Sequence, residues 1–261
     1  MRTLRMILAG CVAAPIAIGL GALAHGQTPA PASAPAATKP DPDALAALNK
    51  MGEALRALTA FTVTADVITE QVLDSGQKLQ YEGDLKIEAQ RPSGFKISMS
   101  TDHQEREIYY DGKSITLFAP KVGYYASVPA PPTIGATLDV TKEKYGIEIP
   151  LADLFYLGTD PTLTARIQEG FDVGPETVGG LACEHYAFRQ KAADWQVWIR
   201  TDGPALPCKM VITTTQDPAQ PQYTAVMKWE TKAPAQAAYT FTPPANAHRI
   251  TVADLSAAGA N

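Results

Sequence analysis

Among the residues able to do chemistry, one stretch stands out: L-A-C-E-H-Y-A-F-R-Q-K-A-A-D-W-Q-V-W-I-R, residues 181–200. Cys183 and His185 sit two apart, close to Trp195 and Trp198. A thiolate beside an imidazole can form a nucleophile pair, and both are metal ligands. The spacing points elsewhere. Residues two apart on a strand share a face, so Cys183, His185 and Arg189 point one way and Tyr186 and Phe188 the other. The apolar pair belongs inside, which puts Cys183 and His185 on the outer, wetter face or near the rim. Two ligands on one strand face do not complete a zinc site. Both faces of the following segment, 194–200, carry a tryptophan, and the pattern leaves open which one is internal.

The other histidines well inside the chain, His103 and His248, lie at no helical spacing with a carboxylate between them. There is no G-x-S-x-G, no phosphate loop and no dinucleotide fingerprint. No pair of carboxylates is singled out. A catalytic role for His185 is therefore the least supported reading, and no metal or cofactor is expected. The net charge of −5 gives a nucleic-acid partner no electrostatic support.

The chain has 261 residues, 46% of them hydrophobic, which suits one globular domain. Its first 24 residues read as a signal peptide. Arg2 and Arg5 precede the apolar run Met6–Leu23, and Ala22-Leu23-Ala24 gives a cleavage site before His25. Leu8-Ala9-Gly10-Cys11 has the pattern of an acylation box, but too few apolar residues precede Cys11 for that cut. Either route implies export to an oxidising compartment. Residues 25–40, rich in Pro and Ala, read as a disordered tether. The domain is expected over 41–252, with a frayed tail at 253–261.

After removal of the signal, Cys183 and Cys208 remain, and export favours a disulfide. A meander of 181–190, 194–200 and 207–215 argues against it. The cysteines would then flank a third strand, about 9–10 Å apart, whereas a bridge wants Cα atoms roughly 4.4–6.8 Å apart. Cys208 also shares parity with Met210 and Ile212, which suggests an inward face. The bridge is disfavoured on these grounds.

The elements that position these residues follow from periodicity. Asp41-Pro42-Asp43 starts a helix, and Leu45, Leu48, Met51, Leu55 and Leu58 form its apolar stripe, ending near Ala60. Strands alternate over 61–73, 77–90, 95 onward, 105–110, 114–119 and 122–128, with Asp111-Gly112 a tight hairpin. Two short helical patterns follow, about 136–145 and 150–157. Strands resume over 162–169, 173–178, 181–190, 194–200, 207–215 and 222–231. An α+β fold follows. About 11–12 antiparallel strands curl into a half-barrel over the N-terminal helix and the short middle helices, because twist accumulates in so wide a sheet.

The chain resembles the DUF2092 family of predicted periplasmic proteins. These are similar in turn to the outer-membrane lipoprotein carriers, the LolA-like fold group. The residues that carry the resemblance are Y-Y-D-G-K-S-I-T-L-F at 109–118, G-Y-Y-A-S-V-P-A-P at 123–131, C-E-H-Y-A-F-R at 183–189 with D-W-Q-V-W-I at 194–199, L-P-C-K-M-V-I-T at 206–213 and F-T-P-P-A-N-A at 241–247. The resemblance implies a curved sheet around an apolar cavity that holds acyl chains, and it supplies no catalytic residues.

The expected function is a periplasmic, non-enzymatic carrier or sensor, monomeric, for a lipid acyl chain or a lipoprotein. The cavity would be lined by Phe61, Val63, Val67, Phe95, Ile97, Met99, Ile115, Leu117, Tyr186, Phe188, Tyr223, Met227 and Trp229. Leu151, Leu154 and Phe155 would form a lid. The alternative is an envelope interaction protein that binds a partner polypeptide.

Overall fold

The computed structural model describes residues 39–147, 149–157, 159, 162–231 and 239–252. The expected signal peptide, most of the tether and the tail lie outside these. The order of elements is α1 (Pro42–Ala57), β1 (Ala60–Val72), β2 (Lys78–Gln90), β3 (Gly94–Thr101), β4 (Glu105–Tyr110), β5 (Ser114–Ala119) and β6 (Tyr124–Pro129). Then come α2 (Ile134–Tyr145), α3 (Asp153–Tyr156), α4 (Thr162–Ala165), β7 (Glu169–Val178), β8 (Leu181–Arg189), β9 (Ala193–Arg200), β10 (Pro207–Thr214), β11 (Gln222–Glu230) and β12 (His248–Arg249).

α1 starts where the sequence puts it. The Asp41 carboxylate accepts the Asp43 N–H at 2.9 Å, and Pro42 occupies the first turn, where its missing N–H costs nothing. Ala44, Leu48, Met51 and Leu55 are buried along one stripe.

Among the described residues the twelve strands form one sheet, in the order β12-β6-β5-β4-β3-β2-β1-β11-β10-β9-β8-β7. It is large, curved and unclosed. Every pairing is antiparallel except β12 with β6. Two meanders are thus joined where β1 meets β11, from Thr62 opposite Glu230 to Thr69 opposite Tyr223. One core draws on β1–β5 and β8–β11 together, along with α1, α2 and α3. Residues from so many strands meet only if the sheet bends around them.

This order dictates the path of the middle helices. β6 lies beside one edge of the sheet and β7 is the other edge. Ten strand spacings of about 4.8 Å separate them, roughly 48 Å measured along the sheet. The segment from β6 to β7 must make that crossing, and it carries α2, α3 and α4. It crosses on the concave side, because Ile134, Leu138, Leu154 and Phe155 belong to the core there.

One expected strand is a helical turn. Thr162-Leu163-Thr164-Ala165 alternates as a strand would, yet forms α4. Leu163 and Ile167 are also four apart. Both face the core, and the Arg166 guanidinium reaches back four residues to the Thr162 hydroxyl at 3.3 Å. Helical spacing wins here because it turns Leu163 and Ile167 to the same side, against the core.

Candidate functional site

Two places hold the residues of interest. The first is the outer, convex face around His185. The second is the space between the sheet and the crossing helices.

On the convex face, His185 lies opposite Trp198 in the β8–β9 register. The rings stack with centroids 3.9 Å apart and planes 10° apart. The imidazole Nδ1 is 3.0 Å from Glu176 Oε1, and Nε2 is 3.0 Å from Gln196 Oε1. The Trp198 indole N–H donates to Glu176 Oε2 at 2.8 Å. The Lys209 ammonium sits 4.4 Å from the centre of the Trp198 ring. Hydrogen bonding from Trp198 is the largest influence on Glu176, followed among the lowering ones by His185, and the carboxyl is held below its ordinary range. The expectation of an outer face holds, but the surroundings are not wet. His185 is only 7% exposed because Trp198 covers it. Both ring nitrogens thus lie within hydrogen-bonding distance of side-chain oxygens.

The cysteines require a correction. Cys183 and Cys208 form a disulfide, with Cα atoms 7.0 Å apart. The objection from strand spacing assumed regular pairing. β10 has a bulge: Pro207 faces Ile199 and Lys209 faces Trp198, so Cys208 is the extra residue. The bulge bends β10 toward β8 at the end of β9, where Cys183 faces Arg200. It also breaks the parity. Cys208 does not share the inward face of Met210 but packs outside with Cys183, Trp198 and Val211. Trp195 is the inward tryptophan of the pair.

On the concave face, the sheet brings together all thirteen positions expected to line a cavity. Phe61, Val63, Phe95, Ile97, Ile115, Phe188 and Met227 are buried in the main core. Val67, Met99, Leu117, Tyr186, Tyr223 and Trp229 pack against it, half-buried. Leu151, Leu154 and Phe155 are buried there too. The Phe155 ring sits 5.9 Å from Phe61 and 6.0 Å from Phe95. The Arg91 guanidinium donates to the Phe155 carbonyl at 3.5 Å, and the Tyr156 hydroxyl to Asp139 at 2.7 Å. Leu151, just before α3, has φ 54°, a left-handed conformation that bulky residues rarely adopt.

An apolar pocket of about 120 Å³ opens beside this crossing. None of the thirteen positions lines it. Its walls are Leu48 from α1, Asp153 and Leu157 at the two ends of α3, Leu163 from α4, and Trp195, Met210 and Ile212 from β9 and β10, with Gln190 and Ala193. Sequence reasoning missed it because it forms where three helices meet the C-terminal meander. Strand parity does give the inward aim of Met210 and Ile212. Among the described residues no group of three or more His, Cys, Asp or Glu side chains could hold a metal ion. Among them, too, no helix is long and apolar enough to cross a membrane.

A family model described as a predicted periplasmic protein (DUF2092) matches residues 44–253. The chain belongs to the DUF2092 family. No curated protein matches it. Solved structures similar to this DUF2092 chain include lipoprotein LppX of Mycobacterium tuberculosis, at 16% identity, 72% coverage of this chain, 94% of that one and a TM-score of 0.44. The MucA/MucB complex of Pseudomonas aeruginosa matches at 16% identity, with 77% and 61% coverage and a TM-score of 0.41. A LolA superfamily protein of Nitrosomonas europaea matches at 8% identity, with 76% and 97% coverage and a TM-score of 0.36.

Proposed function

We propose that this DUF2092 protein is a periplasmic, non-enzymatic carrier or sensor. It takes the acyl chain of a lipid or lipid-modified protein beneath its helical crossing, after a signal peptide is removed near His25. The observation that carries this reading is the apolar pocket of about 120 Å³ between α1, α3, α4 and the sheet. Such a volume is comparable to a cavity of about 150 Å³ that admits benzene. It would hold roughly five methylenes, worth about 4 kcal/mol at 0.8 each, or millimolar affinity.

Tighter binding needs the trough to open, and α3 is the element to move. It is four residues long, preceded by the strained Leu151, and leans on Phe61 and Phe95 through one side chain. Lifting Phe155 would connect the pocket with the thirteen apolar positions behind it.

Solvent extraction of the purified mature protein, followed by mass spectrometry, tests the reading. Co-extracted phospholipid or fatty acid supports it. A clean extract from protein that also binds no added lipid rejects it. A partner polypeptide is the second reading, supported by Phe171 and Val173, which are 54% and 49% exposed on the edge strand β7.

A further inference from the structure

Away from the acyl pocket, the turn between β2 and β3 borders a second cavity of about 170 Å³. Its lining includes Arg91, Ser93, Gly94, Asp111, Tyr239 and Thr240. Among the described residues four side-chain atoms are buried without a hydrogen-bond partner: Arg91 Nε and Nη2, Tyr223 Oη and Tyr239 Oη. Three of the four belong to two residues that line this one cavity. We propose that it is a binding site for a small oxyanion, a carboxylate or phosphate group, gripped by Arg91 and Tyr239.

The guanidinium is already anchored on one side. Nη1 donates to the Phe155 carbonyl at 3.5 Å, and the Nε–Nη2 edge is left over. That edge, closed to solvent in this side-chain arrangement, carries two parallel N–H groups, the fork that a carboxylate or phosphate accepts with two oxygens. Burial lowers the Arg91 pKa, and among the described residues no carboxylate is paired with it; its guanidinium carbon lies 5.7 Å from the centre of the Phe155 ring. A desolvated cation without a counter-ion is costly to keep unless an anion completes the site.

Tyr239 is 3% exposed, and burial, with Glu88 adding, raises its pKa, so the phenol stays a donor. A Cβ on Gly94 would lie 2.7 Å from the Tyr239 ring, so only glycine lets that ring seat here. Asp111 does not compete for the guanidinium. Its Oδ1 accepts the N–H groups of Lys113 and Ser114, at 3.0 and 2.9 Å, and the Ser114 hydroxyl at 3.3 Å. Among the described residues the buried, unpartnered side-chain atoms at this cavity are two guanidinium nitrogens and a phenol, all able to donate, which favours an anion over a cation.

The test is a titration of the mature protein with inorganic phosphate and, separately, acetate, followed by amide NMR. Saturable binding of either, with shifts centred on Gly94 and Tyr239, is expected. Phosphate alone identifies a phosphate group, acetate alone a carboxylate. Arg91→Lys keeps the charge but loses the fork, and should weaken binding roughly tenfold or more. Tyr239→Phe should weaken it less. Absence of saturation with both anions, or unchanged binding in both variants, overturns the proposal. Neither result depends on whether the trough binds a lipid.

Discussion

The Phe155 ring lies 5.9 Å from the Phe61 ring, so the short helix α3 rests directly on β1, the strand where the two meanders meet. This contact ties the helical crossing to the centre of the sheet. It also fills the trough beneath the crossing.

Phe155→Ala is expected to cost about 3 kcal/mol, the lower end for removing a buried phenylalanine side chain. Denaturant unfolding measures this. A cost under about 1 kcal/mol would mean that α3 does not rest on the sheet as described.

Leu163 and Trp195 face the same pocket. Leu163→Trp should fill it and abolish binding of a short-chain fatty acid, with the far-UV spectrum unchanged. Total tryptophan emission should shift on binding in the wild type, where Trp195 lines the pocket, and stay still in the variant. Equal binding by the two proteins would place the acyl site elsewhere.

The Cys183–Cys208 bridge closes a separation of 25 residues. Chain entropy alone gives such a link about 3.5 kcal/mol. The double variant to alanine should unfold at lower denaturant by a corresponding amount. Thiol titration of the denatured, unreduced mature protein should find no free cysteine. Two titratable thiols would contradict the pairing.

Stability toward acid should depend on Glu176. The Trp198 N–H and the His185 ring hold its carboxyl below the ordinary 4.5. A depressed carboxyl stabilises the fold above its unfolded pKa, and that contribution fades as pH falls through the folded value. The margin of wild type over Glu176→Gln should therefore be full at about pH 6 and shrink below 4.5. Melting temperatures across that range check it; parallel curves would disprove the linkage.

Much of this architecture was legible in the sequence, because it is local. α1 followed from Asp41-Pro42 and the stripe through Leu48, Met51 and Leu55, and β1–β5 followed from alternation. What was not legible depends on pairing across the chain. The bulge at Cys208 leaves no mark in the alternation of 207–214, and it decides both the disulfide and the face. The crossing of α2–α4 follows from β1 pairing with β11, which no local pattern announces, and the pocket at Leu163 and Trp195 exists only because of it. His185 was placed on the correct face, but its cover by Trp198 comes from register with the neighbouring strand.

Hydrogen exchange of residues 149–157, with and without a long-chain acyl lipid, tests most directly whether the crossing is a movable cover. These amides should exchange well before those of β1 and β2, and should change protection when lipid is added. Exchange as slow as that of β1, and indifferent to lipid, would show a trough sealed shut and contradict the account.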